Sequence, residues 1–166
     1  NSLSASARYG VRNRHNYQDG LLTETFENGG LINSTIRDVN TTDNSGTIDL
    51  NLDYTRTFEK PQRELSFSTL YSRNNRTNDF LNTIFGTDGS TIDSRLKNEN
   101  QSYNEEVTLQ LDYQTPISTN QLVELGGKNI SRRVSSDYKY FRATGPDGDF
   151  AEIQNVQASN IFNHNQ

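Results

Sequence analysis

Hydrophobic and polar residues alternate along much of this chain with the period of an extended strand. Leu3, Ala5, Ala7, Tyr9 and Val11 share one parity, and Ser2, Ser4, Ser6 and Arg8 hold the other. Ile48, Leu50, Leu52 and Tyr54 alternate with Asp49, Asn51, Asp53 and Thr55. Leu65, Phe67, Thr69 and Tyr71 alternate with Ser66, Ser68 and Ser72, with Leu70 out of step. Val107, Leu109, Leu111 and Tyr113 alternate with Thr108, Gln110, Asp112 and Gln114, and Val123 and Leu125 open a strand running toward Tyr138 and Tyr140. Helical periodicity is nearly absent. The pattern predicts an all-β chain of antiparallel strands, each with one apolar, aromatic face and one hydrophilic face.

The connections alternate in length. Glu59-Lys60-Pro61-Gln62-Arg63 is a short turn, and Pro116 to Gln121 is a second. Proline suits both places, because it fixes φ and donates nothing to a ladder. Between and around them run long polar stretches, about 12–46, 74–104 and 132–149, which read as loops. Asn28-Gly29-Gly30 predicts a small hairpin within the first, and Gly145-Pro146-Asp147-Gly148 a turn in the last. Short turns on one side and long loops on the other are the build of an outer-membrane barrel, with periplasmic turns and extracellular loops.

A β-sandwich alternates as well, but its strands are typically about 5–6 residues long. Here the segments 46–58, 64–74 and 104–116 each run about 11–13 residues, and a tilted membrane strand needs about 9–11. An apolar face toward lipid and a polar face toward a wet lumen also accommodate the row Asp49, Asn51, Asp53, which a dry core does not. The expectation is a set of transmembrane β-barrel strands forming a partial barrel. Asp49, Asn51, Asp53, Thr108, Gln110 and Asp112 are expected to line the lumen. Tyr54, Phe58, Phe67, Tyr71 and Tyr113 are expected at the membrane interface.

Composition supports this picture. Only 30% of residues are apolar, against roughly 45–50% in an ordinary domain by a count that adds Gly, and mean hydropathy is -0.89. Such a chain cannot fill a thick core, yet its 8 Tyr and 8 Phe sit in regular runs that a disordered chain lacks. Net charge is -5 with the 16 basic residues scattered, which argues against nucleic acid as a partner. With no cysteine there are no disulfides and no thiolate chemistry. No run approaches the roughly 20 apolar residues of a membrane helix. The start, Asn1-Ser2-Leu3-Ser4, reads as strand rather than signal peptide, so the chain is expected to begin inside a longer one.

Two hairpins carry a family resemblance. One is Leu50-Asn51-Leu52-Asp53-Tyr54-Thr55-Arg56-Thr57-Phe58 followed by Glu64-Leu65-Ser66-Phe67-Ser68. The other is Glu106-Val107-Thr108-Leu109-Gln110-Leu111-Asp112-Tyr113-Gln114-Thr115-Pro116, followed after its turn by Val123-Glu124-Leu125-Gly126-Gly127-Lys128, the latter slightly shifted from the family pattern. Both are similar to the TonB-dependent receptor-like barrels of Bacteroidetes, and Ser159 to Gln166 resembles the start of the next strand. The resemblance covers nearly the whole chain, most firmly 46–128. It implies that residues 1–166 are part of one outer-membrane barrel domain of about 22 strands around a plugged lumen, with no plug in this segment. The implied function is capture and uptake of a scarce nutrient such as a siderophore, glycan or peptide. The implied partners are outer-membrane lipid, the rest of the barrel, a TonB-type energy-coupling protein reached through other parts, and a surface lipoprotein. A soluble, secreted, Asn-rich β-sandwich or solenoid acting as an adhesin or carbohydrate-binding module is the alternative.

No constellation supports an enzyme, a cofactor or a metal. Asp49 and Asp53 share a face about 13 Å apart at 3.3 Å per residue, too far for a glycosidase pair. His15 and His164, the only histidines, lack ligand or triad spacing. No G-x-S-x-G nucleophile motif occurs. Gly86-Thr87-Asp88-Gly89-Ser90 reads as a turn rather than a calcium loop, and Asn-x-Ser/Thr sequons such as Asn33-Ser34-Thr35 follow from composition. Six or so strands cannot close so wide a barrel, so neighbouring strands are expected to cover both edges.

Overall fold

The computed structural model describes residues 1–86, 88–154 and 159–165. Five long strands, β1 (Ser2–Glu27), β2 (Gly30–Thr57), β3 (Glu64–Phe85), β4 (Ile92–Ser118) and β5 (Gln121–Thr144), follow one another in an antiparallel meander. Two short strands, β6 (Ala151–Glu152) and β7 (Asn160–Asn165), pair in turn with the far edge of β5. Among the described residues there is one sheet and no second layer, so the apolar face of the strands has nothing packed on it. Leu109, Leu111, Leu50 and Leu52 are 43%, 51%, 42% and 38% exposed. Among the described residues the sheet is open: β1 is paired along one edge only, and so is the part of β5 spanning residues 121–132.

The polar stretches that read as loops are strand over most of their length. β1 and β2 stay paired from Ser2↔Thr55 up to Glu27↔Gly30, and β3 and β4 from Glu64↔Gln114 up to Phe85↔Ile92. The strands are therefore 22 to 28 residues long rather than about 11–13. Hydrophobic alternation fades above the lower half of each strand while the ladder continues, because backbone hydrogen bonds do not depend on what the side chains face. The long connections are thus tall hairpins with tight tips. Asn28 (φ 50) and Gly29 (φ 81) form the expected two-residue turn with positive φ at both positions. The short turns lie at the other end: Phe58 N–H donates to Arg63 O (3.1 Å) across one, and the other is only Thr119-Asn120 between β4 and β5.

The first hairpin also carries a bulge. Asp19 and Gly20 together oppose Asp38, with Gly20 at φ 64. Asp38 holds it by accepting from Gly20 N–H (2.9 Å) and from the Tyr17 hydroxyl (3.1 Å). These donors keep the Asp38 carboxyl below its ordinary range, the Gly20 amide contributing most. The few buried residues, Val39, Ala143, Asn82 and Ser94, all lie in the upper halves of the strands.

Candidate functional site

Register sorts the side chains into cross-strand rows. On the polar face, Ser4, Asp53, Ser68, Gln110 and Lys128 make one row, and Arg8, Asp49, Ser72, Glu106 and Arg132 another. Between them runs Ser6, Asn51, Leu70, Thr108 and Ile130, and at the short-turn end Ser66, Asp112 and Gly126. All six residues expected to line a lumen therefore stand on one face, across β2 and β4.

These polar groups are knit together across strands. Asp53 accepts from Ser68 Oγ (2.6 Å), Ser4 Oγ (3.5 Å) and the Asn51 amide. Asp49 accepts from Ser72 Oγ (2.6 Å), and Asp112 from Gln110 Nε2 (2.7 Å). Glu106 pairs with Arg132, whose Nε is 2.9 Å away. Gly126 makes room in its row, since a Cβ there would run into the Asp112 carboxylate. Ser6, Arg8, Asp49, Asn51, Ser72 and Glu106 are among the residues lining a shallow concavity of about 620 Å³ on this face. Higher on the same face, Arg76 grips Asp43 with two bonds, Nε to Oδ1 (3.0 Å) and Nη2 to Oδ2 (2.5 Å). That bonding, with Arg12 and Arg14 nearby, holds the Asp43 carboxyl below the usual carboxylate range.

The opposite face carries the apolar band. Its rows run Leu65, Tyr113, Leu125; then Tyr54, Phe67, Leu111; then Leu52, Thr69, Leu109; then Leu50, Tyr71, Val107. From the Tyr113 row to the Tyr71 and Val107 row, six residues, the strand rises about 20 Å, within the roughly 25 Å height of an outer-membrane apolar band. The expected interface aromatics divide between its two ends. Tyr54, Phe58 and Tyr113 lie toward the short turns, with Phe67 beside Tyr54, and Tyr71 lies at the far end. Phe58 is just past the end of β2, where Arg56 (4.9 Å) and Arg63 (4.6 Å) stack on its ring. Arg63 Nε also donates to the Tyr113 hydroxyl (2.8 Å). At the far end the Tyr71 hydroxyl donates to Glu105 (3.1 Å), which pairs with Arg73 (3.2 Å), and Arg73 stacks over Tyr103 (4.9 Å).

Sequence reasoning did not single out Arg73, Tyr103, Glu105, Glu106 or Arg132. Their charges complement only once register sets β3 beside β4 and β4 beside β5, and no spacing within one strand signals that. The histidines stay apart from any carboxylate cluster: His15 Nδ1 lies 3.2 Å from Thr42 Oγ1, and His164 stacks on Phe162 at 6.3 Å. Asp88 spends its carboxylate on the turn, accepting from Ser90 N–H (3.0 Å), Thr91 N–H (2.9 Å) and the Thr91 hydroxyl. Thr87, of the same Gly86 to Ser90 sequence, lies outside the described residues.

Among curated proteins none matches the chain. Residues 56–166 match the family described as outer membrane protein beta-barrel family. That match sets aside the soluble sandwich or solenoid, in keeping with a single sheet whose apolar face is uncovered. This chain belongs to the outer membrane protein beta-barrel family, and its place is the outer membrane.

Proposed function

We propose that this chain is part of the wall of a large TonB-dependent receptor, one that captures a scarce nutrient outside and passes it through a plugged lumen. The observation that carries the reading is the pair of open edges at the height of the apolar band. An unpaired strand edge leaves backbone N–H and C=O groups without partners, which lipid does not tolerate. The wall therefore continues on both sides, as part of one barrel domain. In this reading the apolar rows face lipid, and Asp49, Asn51, Asp53, Thr108, Gln110 and Asp112 line the wet interior. Five long strands supply about a quarter of a barrel of roughly 22 strands, a size that holds a plug. The two sequence hairpins, centred on Leu50 to Phe58 and Leu109 to Pro116, resemble such receptors and give the finer assignment its support. The chain makes and breaks no bonds; its work is to hold lipid outside and water within.

The test is the denatured mass of the native chain from a purified outer-membrane fraction. A mass of roughly 80–110 kDa is expected for a plugged barrel of this width. A native product of 18.8 kDa in the soluble fraction would overturn the reading. Ligand-dependent growth that survives loss of the energy-coupling protein would leave the barrel standing and remove the receptor assignment.

A further inference from the structure

We propose that the inner face of the tall hairpins, around Arg12, Arg14 and Arg76, captures a small solute carrying two or more carboxylate or phosphate groups. The proposal rests on the receptor reading and adds the chemical class of what is captured.

Register sorts charge as well as polarity. Above the apolar band, Arg12, Arg14, Arg37, Arg76 and Arg142 stand on the face that carries Asp49 and Asp53 lower down. Among the described residues of the five long strands, Asp43 is the one carboxylate that joins them at that height. Asp38, Asp79, Glu99 and Asp137 stand on the opposite face, where Lys97 pairs with Glu99 (2.5 Å) and Lys139 with Asp137 (3.9 Å). These facings follow from the two-residue period of each strand, because the β1–β2 register is unbroken from Ser2 to Gln18 and the β2–β3 register has no shift. Toward the short turns the sign of the inner face reverses. Asp53, Glu64, Asp112 and Glu124 stand there, with Lys128 the one cation below the Arg8 row among the described residues. An anion is therefore drawn to the mouth of the lumen and not to the wall beneath it.

The geometry at the mouth points to more than one oxyanion. Arg12 and Arg14 are two residues apart on β1, about 7 Å, and Arg76 lies two strand spacings from Arg12, about 10 Å. Asp43 is opposite Arg14 and is already occupied, held by Arg76 through Nε to Oδ1 (3.0 Å) and Nη2 to Oδ2 (2.5 Å). Arg12 and Arg14 are exposed and, among the described residues, have no carboxylate within salt-bridge distance. Each guanidinium presents a planar fork that matches a carboxylate or phosphate with two parallel bonds. Two such forks about 7 Å apart suit two anionic groups of one solute. Carboxylate and phosphate share this chemistry, and the test separates them.

The test is calorimetric titration of the folded full-length barrel in detergent, once its denatured mass has placed it among large barrels. Absent binding then removes the anion site and leaves the barrel reading in place. The probes are propane-1,2,3-tricarboxylate, tripolyphosphate, spermidine and maltotetraose. Saturable binding of at least one of the two anions is expected, weakening as salt rises from about 0.05 to about 0.5 M. The tighter anion identifies the group that is recognised. Spermidine and maltotetraose are expected not to bind. Arg12→Gln with Arg14→Gln should weaken anion binding at least about tenfold, the loss of one charge-assisted contact or more. Arg12→Lys with Arg14→Lys should keep part of it, and Lys97→Gln with Lys139→Gln, on the opposite face, should change nothing. Binding of neither anion, equal binding of either control, or an unchanged titration in the Arg12 and Arg14 double glutamine variant overturns the proposal. Should that variant fail to fold, Ser45→Glu sets a carboxylate between Arg12 and Arg76 in their register row. It should weaken anion binding in the same way, and an unchanged titration there overturns the proposal equally.

Discussion

The lower and upper halves of these strands share one ladder and differ in almost everything else. Below the row of Arg73 and Glu105, apolar and polar residues alternate with few exceptions such as Leu70, as in Leu50-Asn51-Leu52-Asp53-Tyr54. Above it, β1 reads Arg12-Asn13-Arg14-His15-Asn16 and β3 reads Asn74-Asn75-Arg76-Thr77-Asn78, polar on both faces. The pairing does not notice: Asn13↔Asn44 and Asn78↔Asn100 sit in the same unbroken register as Ala5↔Leu52. Alternation thus reports a difference in surroundings between the two faces, and its loss marks where both faces meet water. Strand itself is set by backbone hydrogen bonding, by neighbours on either side, and by tight turns at the tips.

The largest test of this difference is a charge on the apolar face. Leu109→Arg, in the middle of the band, should cost about 2–4 kcal/mol when unfolding is measured in lipid. Gln101→Arg, on the same face of the same strand but above the band, should stay within about 0.5 kcal/mol. Equal effects at the two positions would erase the distinction between the halves. Next in size is the tip of the first hairpin. Gly29→Val places a β-branched residue at φ 81, a cost of roughly 1–2 kcal/mol. Amide exchange should quicken in the upper part of β1 and β2 and remain unchanged between Leu3 and Tyr9. A uniform change along β1 would show that the two halves open as one unit.

Smaller still is the effect expected on the polar face. Asp53→Ala strips an acceptor from Ser68, Ser4 and Asn51, yet a wet face lets water replace it, so denaturation should shift by less than about 1 kcal/mol. A loss of several kcal/mol would mean that this face is dry and packed. The smallest effect is a local one at the 86–91 turn. Hydrogen bonds from Thr91 and Ser90 lower the Asp88 carboxyl to about 2 from an ordinary 3.8. A depressed carboxyl stabilises above its unfolded pKa, so the turn should keep its order at neutral pH and down to about pH 4. It should lose that order as pH falls through about 2. Exchange of the Ser90 and Thr91 amides, followed from pH 5 to 2, measures it; early loss near pH 4 would contradict the bonding seen.

Much of the site was legible before any coordinates. Period-2 alternation places Asp49, Asn51 and Asp53 on one face and Leu50, Leu52 and Tyr54 on the other, because successive side chains of a strand point opposite ways. The same logic placed Thr108, Gln110 and Asp112 together on β4. The Asn28-Gly29 turn was equally plain, since positive φ at two successive positions suits few other residue pairs. What only the tertiary structure decided is everything that runs across strands. That 12–27, 30–46, 74–85 and 92–104 are strand follows from partners on either side, which local polarity does not show. That Ser68 meets Asp53, Glu106 meets Arg132, and Arg73 meets Glu105 follows from register, a property of two strands at once. A sequence carries the period of each strand within itself, but the alignment between strands is written only in their pairing.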